Sequence, residues 1–337
     1  MRRMSRRDFT WFFGCAAVAW PIAAHVHGAQ AQQPDRMRRI GVLMGIAESD
    51  PEATPRIEAL RNGLQQLGWI DGRNVHLDYR WTAGDLDRTL LFAKEIIELK
   101  PDIIVVHSTP AVAALRQLTS ATPMVFVLVG DPIGSGFVAS LPRPGGNVTG
   151  LMNVDASMAG KWLELIKEIA PKVERVALIF NPRAAPYTSY LRSFDASAPA
   201  FAVQAVATPV LDAADLENAI RALGREPNSA MFVVPDVFVQ VHRELIIRLA
   251  GQYRLPAIYP YRFFVTSGGL MSYGLDTVAI FRQAASYVDR ILKGAAPADL
   301  PVQAPMTFQL IVNLKAANAI GITIPGSILM RAAEVIE

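Results

Sequence analysis

Residues 102–150, DIIVVHSTPAVAALRQLTSATPMVFVLVGDPIGSGFVASLPRPGGNVTG, set two β-rich runs around one helical stretch and then break off in prolines and glycines. Neither DIIVVH (102–107) nor MVFVLV (124–129) alternates apolar with polar residues, so each predicts a strand with apolar neighbours on both faces. Between them Ala111, Leu115 and Leu118 recur at helical spacing. Strand, helix and strand in that order indicate a parallel sheet covered on both sides. The loop that follows raises a nucleotide question, because Gly134, Gly136 and Ala139 fit G-x-G-x-x-G/A with Asp155 about where a ribose-binding acid would stand. Two features oppose it. Asp131 and Pro132 separate the apolar run from Gly134, and the motif normally follows the first strand of its domain, whereas this loop comes late. The glycines read better as a way of bringing backbone close to a ligand or to a second lobe, with Asp131 either forming the turn or making a contact.

The same alternation extends in both directions. Upstream, RRIGVLM (38–44) precedes a helical stretch with Ile57, Leu60, Leu64 and Leu67, and NVHLDYRW (74–81) precedes another with Leu86, Leu90, Ala93 and Ile97. Downstream of LPRPGGNVTG the pattern restarts. Trp162, Leu165, Ile166 and Ile169 mark a helix, and RVALIF (175–180), FAVQAVATPV (201–210), AMFVVP (230–235), LPAIYP (255–260) and GLMSYG (269–274) read as strands. A long helix follows with Val278, Phe281, Ala285, Val288 and Leu292 on one face. The expectation is an α/β protein of two lobes of similar size.

The first residues have a different character. Four arginines precede Asp8, an apolar segment runs over 9–24, and small residues stand at Ala29 and Ala31. This predicts a secretory signal peptide over 1–31, cleaved near Ala31, and the pair Arg6–Arg7 resembles a twin-arginine export signal. The only cysteine, Cys15, lies inside that segment, so the mature chain would hold no thiol for disulfides, thiolate metal sites or nucleophilic catalysis. Removing residues 1–31 also cancels the positive net charge, leaving equal numbers of basic and acidic residues. Without a basic surplus, nucleic acid is not an expected partner.

Ligands of open parallel sheets bind beyond the carboxyl ends of the strands, which selects the candidate contacts. Glu48 and Ser49 follow the first run; Ser108 or Thr109 is placed to cap a helix whose first turn holds Pro110; Asp131 follows the fourth run. In the second half, Asn181 ends one run and Asp236 follows another, either as a plain helix cap or as a counter-ion for a ligand ammonium. The cluster YPYRFF (259–264) brings Tyr261 and Phe263 beside Arg262, either as core or as the wall of an apolar or aromatic ligand. Catalytic signatures are missing: there is no G-x-S-x-G, H-E-x-x-H or P-loop, and His76, His107 and His242 are scattered singly. No cofactor is expected.

RRIGVLM, GLQQLGWIDGRNVHLDYRW, DPIGSGFVASLPRPGGNVTG, GKWLELIKEIAP, HRELIIRLA, GGLMSYG and YVDRILKGAAPADLPVQAP together resemble the ABC-transporter substrate-binding proteins related to the tryptophan and phenylalanine binders, over essentially the whole mature chain. The resemblance implies a type I periplasmic-binding-protein fold, two doubly wound lobes joined by a hinge of three strands. It divides the chain into a first lobe of 37–150 plus 275–304 and a second of 151–274 plus 305–337. It also implies that Ser108 and Thr109 hold a ligand carboxylate and Asp236 an ammonium. The protein would serve a permease in the inner membrane, driven by a separate ATPase, from the periplasm. A ligand-sensing module that signals to a membrane receptor is the alternative, and an enzyme the third reading.

Overall fold

Four of the runs named above, and a fifth segment that begins inside the stretch read as a break, become strands of one parallel sheet. β1 (Arg38–Met44), β2 (Val75–Trp81), β3 (Ile103–His107), β4 (Met124–Val129) and β5 (Val148–Met152) lie in the order β2-β1-β3-β4-β5. The computed structural model describes residues 36–183 and 187–337, so the export segment, with Cys15 and the cut near Ala31, lies outside the described residues. Register pairs Ile40 with Ile103 and Val105 with Val125. Because successive strand residues face opposite sides, Val42, Val105 and Val127 enter one apolar layer while Leu43, Ile104, Val106 and Phe126 enter another. Helices α2 (Leu86–Glu98) and α3 (Thr109–Leu118) cover the second layer.

The first layer is covered by two helices from opposite ends of the chain, α1 (Ala53–Gln66) and α10 (Thr277–Leu292). They meet where a Cβ on Gly63 would stand 2.8 Å from that of Ala285, so a small residue on each side sets their approach. The buried stripe of α1 is Ala53, Arg56, Ala59, Leu60, Gly63 and Leu64. Leu67, expected on that stripe, follows the last helical residue and is exposed. In α2 the inward residues are Thr89, Ala93 and Ile96, and the expected Leu86 and Leu90 face outward.

The second sheet has the order β12-β11-β10-β9-β8-β6-β7. Its strands are β6 (Arg175–Phe180), β7 (Gln204–Pro209), β8 (Ser229–Val233), β9 (Ala257–Tyr259), β10 (Met271–Gly274), β11 (Gln309–Asn313) and β12 (Glu334–Ile336). All neighbours are parallel except β10 and β11, where the chain re-enters this sheet from the first lobe. Helices α4 (Ala159–Ile169), α5 (Tyr187–Ser197), α6 (Ala213–Leu223), α7 (Val237–Val241), α8 (Arg243–Gln252), α9 (Arg262–Thr266), α11 (Leu314–Ile320) and α12 (Gly326–Arg331) complete the lobe. Its core centres on Trp162, which stacks on Phe232 at 4.2 Å and on Phe194 at 6.0 Å. The indole N–H of Trp162 donates to the carbonyl of Tyr273 at 2.8 Å, so the ring is buried with its polar atom satisfied.

Three chain segments connect the sheets, after β5, after β10 and before β11. The third runs beside the first: Gln303 pairs with Leu151, accepts from the Met152 N–H at 2.8 Å and donates its own N–H to Gly150 at 3.0 Å. The architecture is the α/β fold of two doubly wound lobes anticipated above. Its strand ends from both sheets face one another.

Candidate ligand-binding cleft

On the first lobe the exits of β1 and β3 are tied together. The Gly45 N–H donates to His107 Nδ1 at 3.2 Å, which places the ring proton on Nε2. Burial, and then the charge of Arg56, hold this imidazole well below its ordinary pKa, so it is a neutral donor. Its Nε2 is buried with no protein partner among the described residues. Ser108 stands at the cap position of α3 with φ 91°, a left-handed backbone rarely taken by serine, and makes no side-chain cap bond. Thr109 opens the helix half-buried, and Glu48 and Ser49 lie exposed on the β1 exit.

The glycine-rich loop does not present free amides. The N–H of Gly134 donates to Asp131 Oδ1 at 2.8 Å, that of Ser135 to the Asp131 carbonyl at 2.9 Å, and that of Gly136 to Ile133 at 2.9 Å. Asp131 therefore forms the turn, with φ 37°, and a side chain at Gly134 would run into its carboxylate. The donors that a phosphate would need are consumed within the loop.

The second lobe contributes a buried acid. Asp236 caps α7, accepting from the Val239 N–H at 2.8 Å through Oδ1, while Oδ2 is buried with no protein partner among the described residues. Burial raises its pKa to about 7, against the opposing pull of the Val239, Asn181 and Phe238 backbone N–H groups. Asn181 is itself fixed, its amide donating to Leu211 at 3.1 Å and its carbonyl oxygen accepting from Arg183 at 2.9 Å. α7 then sits directly on the first lobe: a Cβ on Gly45 would stand 3.0 Å from Val237, and one on Gly84 3.2 Å from Val241.

Beside α7 the lobes share a polar and aromatic cluster. Tyr261 is fully buried, and its hydroxyl accepts from Asn153 Nδ2, on the first connecting segment, at 2.6 Å. Phe263 stacks on Tyr261 at 5.2 Å and lies under two cations, Arg56 at 5.5 Å and Arg243 at 5.7 Å. Arg56 Nη1 crosses the lobe boundary to Gln240 Oε1 at 3.1 Å, and Arg243 Nη1 crosses it in the other direction to Asp50. Arg262, expected beside this cluster, turns outward and pairs with Glu334 through both carboxylate oxygens. A cleft of about 440 Å³ opens alongside, lined by Glu52, Pro55 and Thr277 from one side and by Arg262, Phe263 and Glu334 from the other.

Thus Ser108, Thr109, Asn181, Asp236, Tyr261 and Phe263 stand at the facing strand ends or the helices that leave them. Glu48 and Ser49 lie toward solvent, and Asp131 is occupied with its own turn. The sequence reading did not name Asp50, Arg56, Asn153, Gln240 or Arg243. For Arg56 a signal was present: an arginine at position i−4 from Leu60, within the spacing of a buried stripe. Between the facing strand ends the second lobe buries an acid, Asp236, and the first lobe buries cationic and neutral donors, Arg56, His107 and Ser108; none of these four lines the cleft of about 440 Å³, which lies beside them. No group of three or more His, Cys, Asp or Glu among the described residues is placed to hold a metal ion.

Residues 40–336 match the family described as ABC transporter substrate binding protein. The chain belongs to this family. A tyrosine-binding protein of Clostridioides difficile strain R20291 is 26% identical over 263 residues, 77% of this chain and 75% of that one. A crystal structure from Streptococcus pneumoniae, of an ABC domain in complex with L-Trp, superposes with a TM-score of 0.83 at 26% identity, over 89% of this chain and 100% of that one. A conserved domain protein from Vibrio cholerae O1 biovar El Tor strain N16961 gives the same TM-score at 31% identity and the same coverages. The fold is that of the type I periplasmic binding proteins. Among the described residues no helix is long and apolar enough to cross a membrane.

Proposed function

We propose that this protein is the extracytoplasmic solute-binding component of an ABC importer and takes an amino acid or a related carboxylate between its lobes. The observation that carries the ligand class is Asp236. A carboxylate buried at a strand end, with one oxygen capped by backbone N–H and the other without a protein partner, is the counter-ion an ammonium requires. The strand-end residues Ser108 and Thr109 on the opposite lobe are the neutral contacts for the carboxylate. The tyrosine-binding and L-Trp-bound relatives support the same class.

Binding works through closure. The bodies that move are 37–150 with 275–304 and 151–274 with 305–337, joined at the three connecting segments. A ligand that touches both stabilises the closed form by its differential affinity for that form. The closed form is what a membrane permease reads, and a separate ATPase drives transport. The chain acts in the periplasm after cleavage near Ala31.

The test is a thermal-shift series on residues 32–337 with the common L-amino acids, L-tryptophan and L-tyrosine included, and with aromatic carboxylates that lack an amine. Ligand at a hundred times its dissociation constant adds about 2.7 kcal/mol to stability. A rise with an amino acid and none with its amine-free analogue is expected. A rise only with amine-free carboxylates would remove Asp236 from the role given to it.

A further inference from the structure

Arg56 is fully buried on α1 of the first lobe, yet only one of its nitrogens finds a protein hydrogen-bond acceptor, Gln240 Oε1. Nε and Nη2 have none among the described residues, and the Glu52 carboxylate stays 3.6 Å from Nη2. The guanidinium lies over Phe263 at 5.5 Å and Phe281 at 5.9 Å. Gln240 and Phe263 belong to the second lobe and Phe281 to the first. Bringing the lobes together therefore strips water from a guanidinium and returns one neutral acceptor, Gln240, and one further ring face, that of Phe263. That exchange is unfavourable for a charge, and burial accordingly pushes Arg56 below its ordinary pKa. The Nε–Nη2 edge is a pair of parallel N–H donors, the fork that a planar oxyanion matches with two bonds.

We infer that Arg56 is a specificity-determining residue that makes closure conditional on the ligand: the closed form is completed when the ligand brings a carboxylate to the Nε–Nη2 edge. This rests on the reading that a ligand binds between the lobes, and it assigns the charged contact to Arg56, leaving Ser108 and Thr109 as neutral ones. A ligand of this kind carries both charges, an ammonium for Asp236 and a carboxylate for Arg56. A ligand without the oxyanion leaves the cost of burying Arg56 in place and is rejected.

The experiment measures the spacing between lobes by pulsed electron spin resonance, with spin labels at Lys94→Cys on α2 and Asn218→Cys on α6, both exposed, in a full chain carrying Cys15→Ser. The ligand-free parent is expected at the wide spacing. Arg56→Met, which keeps the packing against the rings and removes the charge, shifts the ligand-free protein toward the short spacing, with the closed-to-open ratio rising at least about fivefold. Arg56→Lys keeps the charge, loses the fork and stays wide. The inference is overturned by a ligand-free parent already at the short spacing, by Arg56→Met no more closed than the parent, or by Arg56→Lys as closed as Arg56→Met. Addition of the common L-amino acids, L-tryptophan and L-tyrosine included, to the parent separates the two levels: if none moves it, the amino-acid reading fails, while the ligand-free comparison still decides the role of Arg56.

Discussion

Asp50 Oδ2 lies 2.7 Å from Arg243 Nη1, on opposite lobes, with each side chain more than nine-tenths buried. In this structure the two charges neutralise each other, and in the separated form that the proposed closure requires each would return to water. Removing one of a buried pair is costly because the survivor remains uncompensated, whereas removing both is tolerated. Asp50→Asn should weaken ligand binding by about tenfold or more, and Asp50→Asn with Arg243→Met should recover most of that loss. Calorimetric titration of the parent, both single variants and the double variant measures the coupling, and additive losses would show that the pair does not act across the lobes.

Asp236 gives a pH dependence with a defined sign. Its pKa in the folded protein, about 7, lies above the ordinary aspartate value, so the proton is bound more tightly in the folded than in the unfolded chain. The stability it contributes is present below about pH 4 and is lost as the pH rises toward 7. Relative to Asp236→Asn, which keeps the helix cap, the ligand-free parent should lose melting temperature across that window. Binding of an ammonium requires the ionised acid, so affinity for an amino acid should climb between pH 5 and 8 by up to about tenfold per unit below the pKa. The measurement is a pair of pH series, with and without ligand; parallel curves for parent and variant would count against both statements.

Gly45 sets how closely the lobes approach. A Cβ there meets Ser108 Oγ at 2.9 Å and Val237 at 3.0 Å, the first on its own lobe and the second across the cleft. Gly45→Ala should reduce ligand affinity while leaving the unfolding free energy of the ligand-free protein, measured in urea, within about 1–3 kcal/mol of the parent. Affinity equal to that of the parent would mean that Ser108 and Val237 yield without moving the lobes.

Trp162 is the anchor of the second core. Trp162→Ala removes the stack on Phe232 and leaves the Tyr273 carbonyl without its donor, so it should cost about 3–5 kcal/mol in urea unfolding. A loss below about 1 kcal/mol would place the core elsewhere.

The sheets were legible because their strands are unbroken apolar runs, and a strand buried on both faces leaves no other reading of VVH at 105–107 or VFVLV at 125–129. β5, β11 and β12 were missed, β5 because it begins inside the proline- and glycine-rich stretch read as a break. QLIVN at 309–313 is short, and EVI at 334–336 pairs along one strand only, so neither carries a periodic signal of its own. Helix faces were read one turn off where glycine or alanine does the packing: α1 turns Gly63 and not Leu67 toward α10, because close approach there excludes a large side chain. Tyr261 and Phe263 could be placed at a strand end from sequence. That the hydroxyl of Tyr261 meets Asn153, a residue 108 positions away, depends on which connecting segment passes over that strand, and spacing along the chain does not encode it.

The helix that covers α1 begins more than two hundred residues after it, because the chain leaves the first lobe, builds most of the second and returns. During synthesis the apolar face formed by Leu60, Leu64, Val42 and Val105 is therefore complete in sequence long before anything exists to cover it. The core of the first lobe is completed only by residues 277–292, and a ribosome adding about 5–20 residues per second takes roughly 10–40 seconds to reach them after α1. A truncation before Thr277 removes a helix from the end of the chain and exposes the core at its beginning. The nascent protein is thus a client for chaperones in whichever compartment that interval is spent, and the order of its sequence, more than the strength of its final contacts, decides how long the exposure lasts.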